Sequence, residues 1–316
     1  MAIKIQRQTA SASSAPPPST LPYGELACDK TAVLYVGNSS NYPVKMMDTN
    51  SYNQVGNPNL LDNTNFKNLV NQRSKSSYSL DWKYSIDRWV LLGTYSVSNH
   101  TLTFDAGNQT SRFGLDAISY MRQGIEKLDA GTYTISAGIG DTVYSHSFVV
   151  GSTVASQAWN MGPFYFVYEK FSGVNTQWFG FGVVPGASSP GSVALDWIKL
   201  EAGDTATPYV PKGYGAELAE CQRYFKRVGN RGFRGWATNE TNVVCCLTLA
   251  TQMRVKPTIT PVGTLTAYDE VSGVTVTMDS STGSTVDTAR ITAHGTGLTA
   301  FRTYSLLGNV DISADL

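Results

Sequence analysis

Strand-like patterns of apolar and polar positions recur at short intervals along this 316-residue chain. Gly131-Thr-Tyr-Thr-Ile-Ser-Ala137 is the cleanest case, with Tyr133, Ile135 and Ala137 sharing one face. Further strand signals lie at residues 89–92, 102–104, 145–150, 165–168, 178–183 and 193–200, and again at 242–250, 271–278 and 289–293. In the aromatic run after Trp159, alternation puts Phe164, Phe166 and Tyr168 on one face and Tyr165 with Val167 on the other. Residues 118–128 hint at a helical turn. Only residues 214–225 follow a helical period: Tyr214, Leu218, Cys221 and Phe225 form one apolar stripe. Glu217 and Glu220 precede Arg223, Lys226 and Arg227, as a helix dipole favours, and Gly229-Asn230 supplies a stop.

The pattern divides the chain into three units and predicts a mainly β protein. Residues 1–55 hold a short strand near Ile3 and Ile5, a stiff linker at Ser11-Ala-Ser-Ser-Ala-Pro-Pro-Pro-Ser19, and a hairpin. Its strands are Gly24-Glu-Leu-Ala-Cys28 and Val33-Leu-Tyr-Val36, turned at Asp29-Lys30. So small a hairpin cannot bury enough surface alone, which predicts association with partner chains. Residues 56–212 carry strands at the density of a single jelly-roll β-sandwich. Residues 213–316 are the amphipathic helix followed by a C-terminal β domain.

Composition narrows the function. Charged residues make up 15%, with 24 basic and 24 acidic side chains and zero net charge, against about 25% charged in ordinary soluble domains. A polar but uncharged, turn-rich surface suits an extracellular binding scaffold and argues against nucleic acid as partner. The first eight residues lack the apolar core of a signal peptide, and Val243-Val-Cys-Cys-Leu-Thr-Leu-Ala250, the longest apolar run, is too short to cross a bilayer. Membrane insertion is therefore not expected. Cys28, Cys221, Cys245 and Cys246 have no framework or metal spacing, so they are expected as reduced, packed thiols of a protein assembled in a reducing cytosol.

Candidate chemistry is sparse. His100, His146 and His294 have no partner at metal-ligand spacing, and no Gly-x-Ser-x-Gly elbow marks a nucleophile. Asp81, Asp87, Asp105, Asp116, Glu169 and Asp196 are scattered, without the carboxylate doublet of a glycosidase. A catalytic site is not expected. Asp48-Thr-Asn50 and Asp62-Asn-Thr-Asn65 offer oxygen donors of the kind Ca²⁺ takes, but turns use the same residues more often. No cofactor is expected, with a structural Ca²⁺ as the alternative. Two features exceed this background. Most rings of the aromatic run must be core, but Trp159, Trp178 and Tyr165 are candidates to stack on sugar faces. Arg223, Lys226, Arg227, Arg231 and Arg234 form a basic cluster, of which Arg231 and Arg234 are candidates to meet an anionic glycan; a solvated or ion-paired run is the plainer alternative.

Several motifs together resemble bacteriophage tail-fibre and receptor-binding proteins. They are Leu200-Glu-Ala-Gly-Asp-Thr-Ala-Thr-Pro-Tyr209 running into Glu217-Leu-Ala-Glu-Cys-Gln-Arg-Tyr-Phe225, Gly24-Glu-Leu-Ala with Leu34-Tyr, Asn57-Pro-Asn-Leu-Leu-Asp-Asn-Thr-Asn-Phe66, Val70-Asn-Gln-Arg73, Tyr84-Ser-Ile-Asp-Arg-Trp89, and Met253-Arg-Val-Lys-Pro-Thr258. The resemblance implies a homotrimeric virion fibre, assembled in the bacterial cytoplasm, attached to other virion proteins through residues 1–55 and binding a host surface glycan. A head fibre or capsid decoration protein is the alternative. A glycan depolymerase is disfavoured by the absence of a fixed-period β-helix repeat.

Overall fold

The computed structural model describes residues 57–126, 128–151, 156–171, 174–187 and 189–315, together with four short strands among the first 56 residues. The linker at 11–19, the turn at 29–30 and Asp48-Thr-Asn50 lie outside the described residues. The fold is mainly β. The chain forms two compact units: Met1–Pro58 with Thr205–Val210, and Asn59–Asp204 with Pro211–Leu316.

In the first unit, β1 (Ile5–Arg7) lies parallel to β2 (Leu26–Cys28), which pairs antiparallel with β3 (Leu34–Gly37), itself paired with β4 (Pro43–Met47). The predicted hairpin is β2–β3.

The second unit begins with a sandwich of two sheets. The smaller holds β10 (Gly131–Ile139) between β11 (Thr142–Val150) and β16 (Trp197–Ala202). The larger runs β12 (Gln157–Asn160), β13 (Tyr165–Lys170), β14 (Gln177–Val183), β9 (Leu115–Ile125), β6 (Val90–Ser96), β7 (Thr101–Thr103), β15 (Ser192–Ala194). Here β5 (Ser77–Tyr84) pairs with β6, and β8 (Thr110–Arg112) with β9. The core between the sheets takes Tyr133, Ile135 and Ala137 from β10 and Phe166, Tyr168, Phe179 and Phe181 from the facing strands. The helical turn expected near 118–128 is instead β9. Ile118 and Tyr120 pack in an outer cluster while Met121 packs in the core, so this strand is buried on both faces and its sequence loses clean alternation.

After α1 (Tyr214–Gln222), the rest of the unit is a closed barrel. Pairings run from β23 (Thr303–Ser313) through β18 (Arg234–Ala237), β19 (Asn242–Thr248), β22 (Thr288–His294), β21 (Gly273–Ser280) and β20 (Thr258–Tyr268) back to β23, with β17 (Phe225–Val228) also on β23. Closure leaves no open edge in that ring. Its core is separate and includes Phe233, Cys245, Ile291, Tyr304 and Ile312. Cys245 is buried and Cys246 exposed, as neighbours on a strand must be, and burial pushes the Cys245 thiol up to about 12.

The helix is shorter than its sequence suggests. It ends at Gln222, and Phe225 is the first residue of β17, so the four-residue stripe does not exist as such. Tyr214 is exposed, and the residues buried from the helix are Glu217 and Cys221. Glu217 turns inward because its Oε2 accepts the Asn63 amide at 2.6 Å. A carboxylate satisfying a loop backbone wins over the apolar period.

Within the second unit, the segments holding Asp62, Arg73, Arg88 and Tyr224-Phe225 meet at the seam between sandwich and barrel. Arg73 reaches Asp315 at 2.9 Å and lies 3.6 Å over the Phe225 ring. Arg88 pairs with Asp62 at 3.0 Å and lies 3.4 Å over Tyr224. Gln72 donates to the Phe225 carbonyl, and Arg227 to the carbonyl of Arg73. Among the described residues no helix is long and apolar enough to cross a membrane.

Candidate functional site

Strand pleating sends every second side chain of the large sheet away from the core. On β9, β13 and β14 these outward residues are Tyr120, Arg122, Val167, Glu169 and Trp178, joined by glycines rather than by further bulk. Gly180 sits opposite Arg122, where an added Cβ would stand 1.9 Å from the Met121 carbonyl oxygen. The close backbone approach therefore demands glycine at this point of the floor.

Two irregular backbone sites bring more rings onto this face. Trp82 lies within the bulge between Leu80 and Lys83 of β5, at φ 54°, and keeps 37% of its surface exposed. Phe113 and Gly114 form the two-residue turn between β8 and β9, at φ 58° and 76°. Left-handed backbone is rare for bulky side chains, and such strained positions are enriched at functional sites. Both rings meet Tyr120 edge-on, Trp82 at 5.5 Å and Phe113 at 5.8 Å between centroids.

Two arginines thread the cluster. Arg122 is almost fully buried, its guanidinium 4.5 Å from each of the Trp82 and Trp178 ring centroids. Arg112 lies 5.7 Å from Trp82 and 5.3 Å from Phe171. Both share the buried carboxylate of Glu169, Arg112 Nε at 2.6 Å and Arg122 through Nη1. Burial pushes the Tyr120 hydroxyl up to about 12, against the pull of both arginines, and the same burial lowers Arg122 to about 10, leaving it charged at neutral pH. A half-open indole beside a positively charged, aromatic floor can stack on an apolar ring face and engage polar groups at its rim. A hollow of about 300 Å³ lined by Leu115, Asp116, Ala117, Val184 and Pro185 borders the same strands.

The sequence-predicted residues are not all brought together. Trp178 belongs to this cluster but is only 9% exposed, so it supports the floor more than it offers a surface. Tyr165 packs half-buried on the same face, its hydroxyl receiving the Asn160 amide at 3.3 Å. Trp159 points to the other side: it stacks on His146 at 4.7 Å and Phe148 at 4.9 Å against the core. Burial holds the His146 imidazole below its ordinary range. Arg231 lies on the barrel, paired with Glu270 at 2.9 Å, and Arg234 stands exposed on β18 two residues before the exposed Trp236. Arg227 is held bidentate by Asp311, so the basic cluster is partly ion-paired. Asp62 serves Arg88 and Lys212, and among the described residues no three His, Cys, Asp or Glu side chains converge as metal ligands. Trp82, Arg112 and Arg122 were missed because nothing in their local sequence marks the bulge or the shared carboxylate.

Compared with known proteins, the chain matches no family model, no curated protein and no solved structure.

Proposed function

We propose that this chain is a non-enzymatic adhesion subunit of a bacteriophage particle, and that the outer face of its sandwich binds a surface glycan. The observation that carries the binding reading is Trp82: a large ring held half-exposed in left-handed backbone, beside two arginines and a bed of aromatic side chains. Sugar rings offer apolar C–H faces to such an indole, while their hydroxyl groups exchange water for protein partners at little net gain. The ring contact supplies the discrimination. The ion-paired Glu169 serves as the brace of two arginines rather than as a general acid.

The place on the particle rests on the order of motifs in the sequence, with residues 1–55 as the attachment unit and three copies in the assembled fibre. Weak sites repeated on such a fibre gain avidity without any new contact. Glycan-array binding by the full chain, with no reducing ends released, tests adhesion; immunogold labelling of intact particles tests location. Release of product, or labelling absent from virions, overturns the corresponding half.

A further inference from the structure

We infer that the glycan taken by this face is an acidic one, a uronate- or sialate-bearing saccharide whose carboxylate is received at Arg112 while its ring covers Trp82. This rests on the glycan reading above and adds the chemical class of the ligand.

Arg112 and Arg122 share a single carboxylate, Glu169, while the acidic Asp116 lines the neighbouring hollow. Arg122 is 93% buried; its Nη1 end lies against Glu169, and its Nε has no hydrogen-bond partner among the described residues. A buried cation with an unmet donor is costly in a site of low polarity, and an incoming anion lowers that cost. Arg112 is where an anion can arrive: its side chain is one-third exposed, and its guanidinium lies 5.7 Å from the Trp82 ring centroid. A carboxylated sugar carries its anion on a carbon bonded to the ring, so a ring lying on Trp82 can turn that carboxylate toward the neighbouring Arg112 guanidinium. A neutral sugar has no anion to offer the exposed part of Arg112.

The test pairs uronate and sialate oligosaccharides with their carboxyl-reduced counterparts, which keep the backbone and lose only the charge. The full wild-type chain is expected to bind the acidic members about tenfold more tightly than the reduced ones, with affinity falling as salt rises. Arg112→Gln should erase that preference, Arg112→Lys should keep part of it, and Trp82→Ala should weaken both members of each pair. Equal binding of acidic and reduced forms overturns the acidic-ligand inference and leaves the glycan face standing. Binding of neither form, or binding untouched by Trp82→Ala, overturns both. The reduction comparison uses the wild-type chain alone, so it decides the matter even where a variant folds poorly.

Discussion

Arg88 lays its guanidinium 3.4 Å from the centroid of the Tyr224 ring, joining the sandwich to the first residues that follow the helix. Arg73 does the same to the adjacent Phe225 at 3.6 Å. The Gln222-Arg-Tyr-Phe225 segment is thus an internal joint. Its rings are covered by arginines of the sandwich and are not offered to a ligand.

Coupling across this joint is measurable. Arg88→Met and Tyr224→Leu each remove one half of the stacked pair while keeping apolar bulk. In a double-mutant cycle by urea unfolding, an interaction energy of about 1–2 kcal/mol is expected for a desolvated pair. Strict additivity of the two substitutions would mean the stack contributes nothing.

Phe225 is buried to 2% exposure and supports both β17 and Arg73. Phe225→Ala should cost roughly 3–5 kcal/mol. An unchanged melting temperature would contradict its place in the joint.

Acid should stabilise the same region. Desolvation raises Asp87 to about 6 despite the amide of Gln72 and the nearby Arg73, and it raises Asp315 and Glu217 as well. A raised carboxyl contributes stability that is full below its ordinary value near 3.8 and is lost as pH rises through about 6. For Asp87 alone the difference is on the order of 3 kcal/mol. Asp105, Asp269 and Asp287 are lowered by hydrogen bonds and act oppositely, at lower pH. Denaturation midpoints at pH 4.5 and pH 7 should therefore differ in favour of the lower pH, and Asp87→Asn should shrink that difference. An equal dependence in the variant would remove Asp87 as its source.

The three tryptophans should separate by phenotype. Trp159→Ala is expected to destabilise by about 3 kcal/mol, because its ring stacks on Phe148 and His146 against the core. Trp82→Ala should leave the melting temperature nearly unchanged and reduce glycan retention. Trp178→Ala should do both, since the ring braces Arg122 at 4.5 Å and is nearly buried. Thermal melts set beside binding of the same variants would expose any exchange of these roles.

Gly180→Ala tests the floor. The added Cβ would meet the Met121 carbonyl oxygen at 1.9 Å and the Arg122 Cα at 2.7 Å. Backbone atoms of a central strand cannot give way, so a loss of more than about 3 kcal/mol is expected. A variant as stable as the wild type would show that β9 and β14 can part locally.

By itself the sequence determined the fold class and the faces of its regular strands. Side-chain period in a strand is a local property, so Phe166 and Tyr168 could be assigned opposite Tyr165 and Val167 without knowing what lay above them. It also marked the helix, though not its end, because what stops the helix at Gln222 is the pairing of Phe225 with Ser313 far along the chain. Only the tertiary structure decided the candidate site. Trp82, Arg112, Arg122, Glu169 and Trp178 come from five strands, and no spacing in sequence encodes their meeting. A bulge beside Trp82 and a turn at Phe113 aim the rings, and a buried carboxylate draws the two arginines together. Pairing between distant strands is set by the burial of the whole sheet, so the residues it unites carry no mark of one another in the chain.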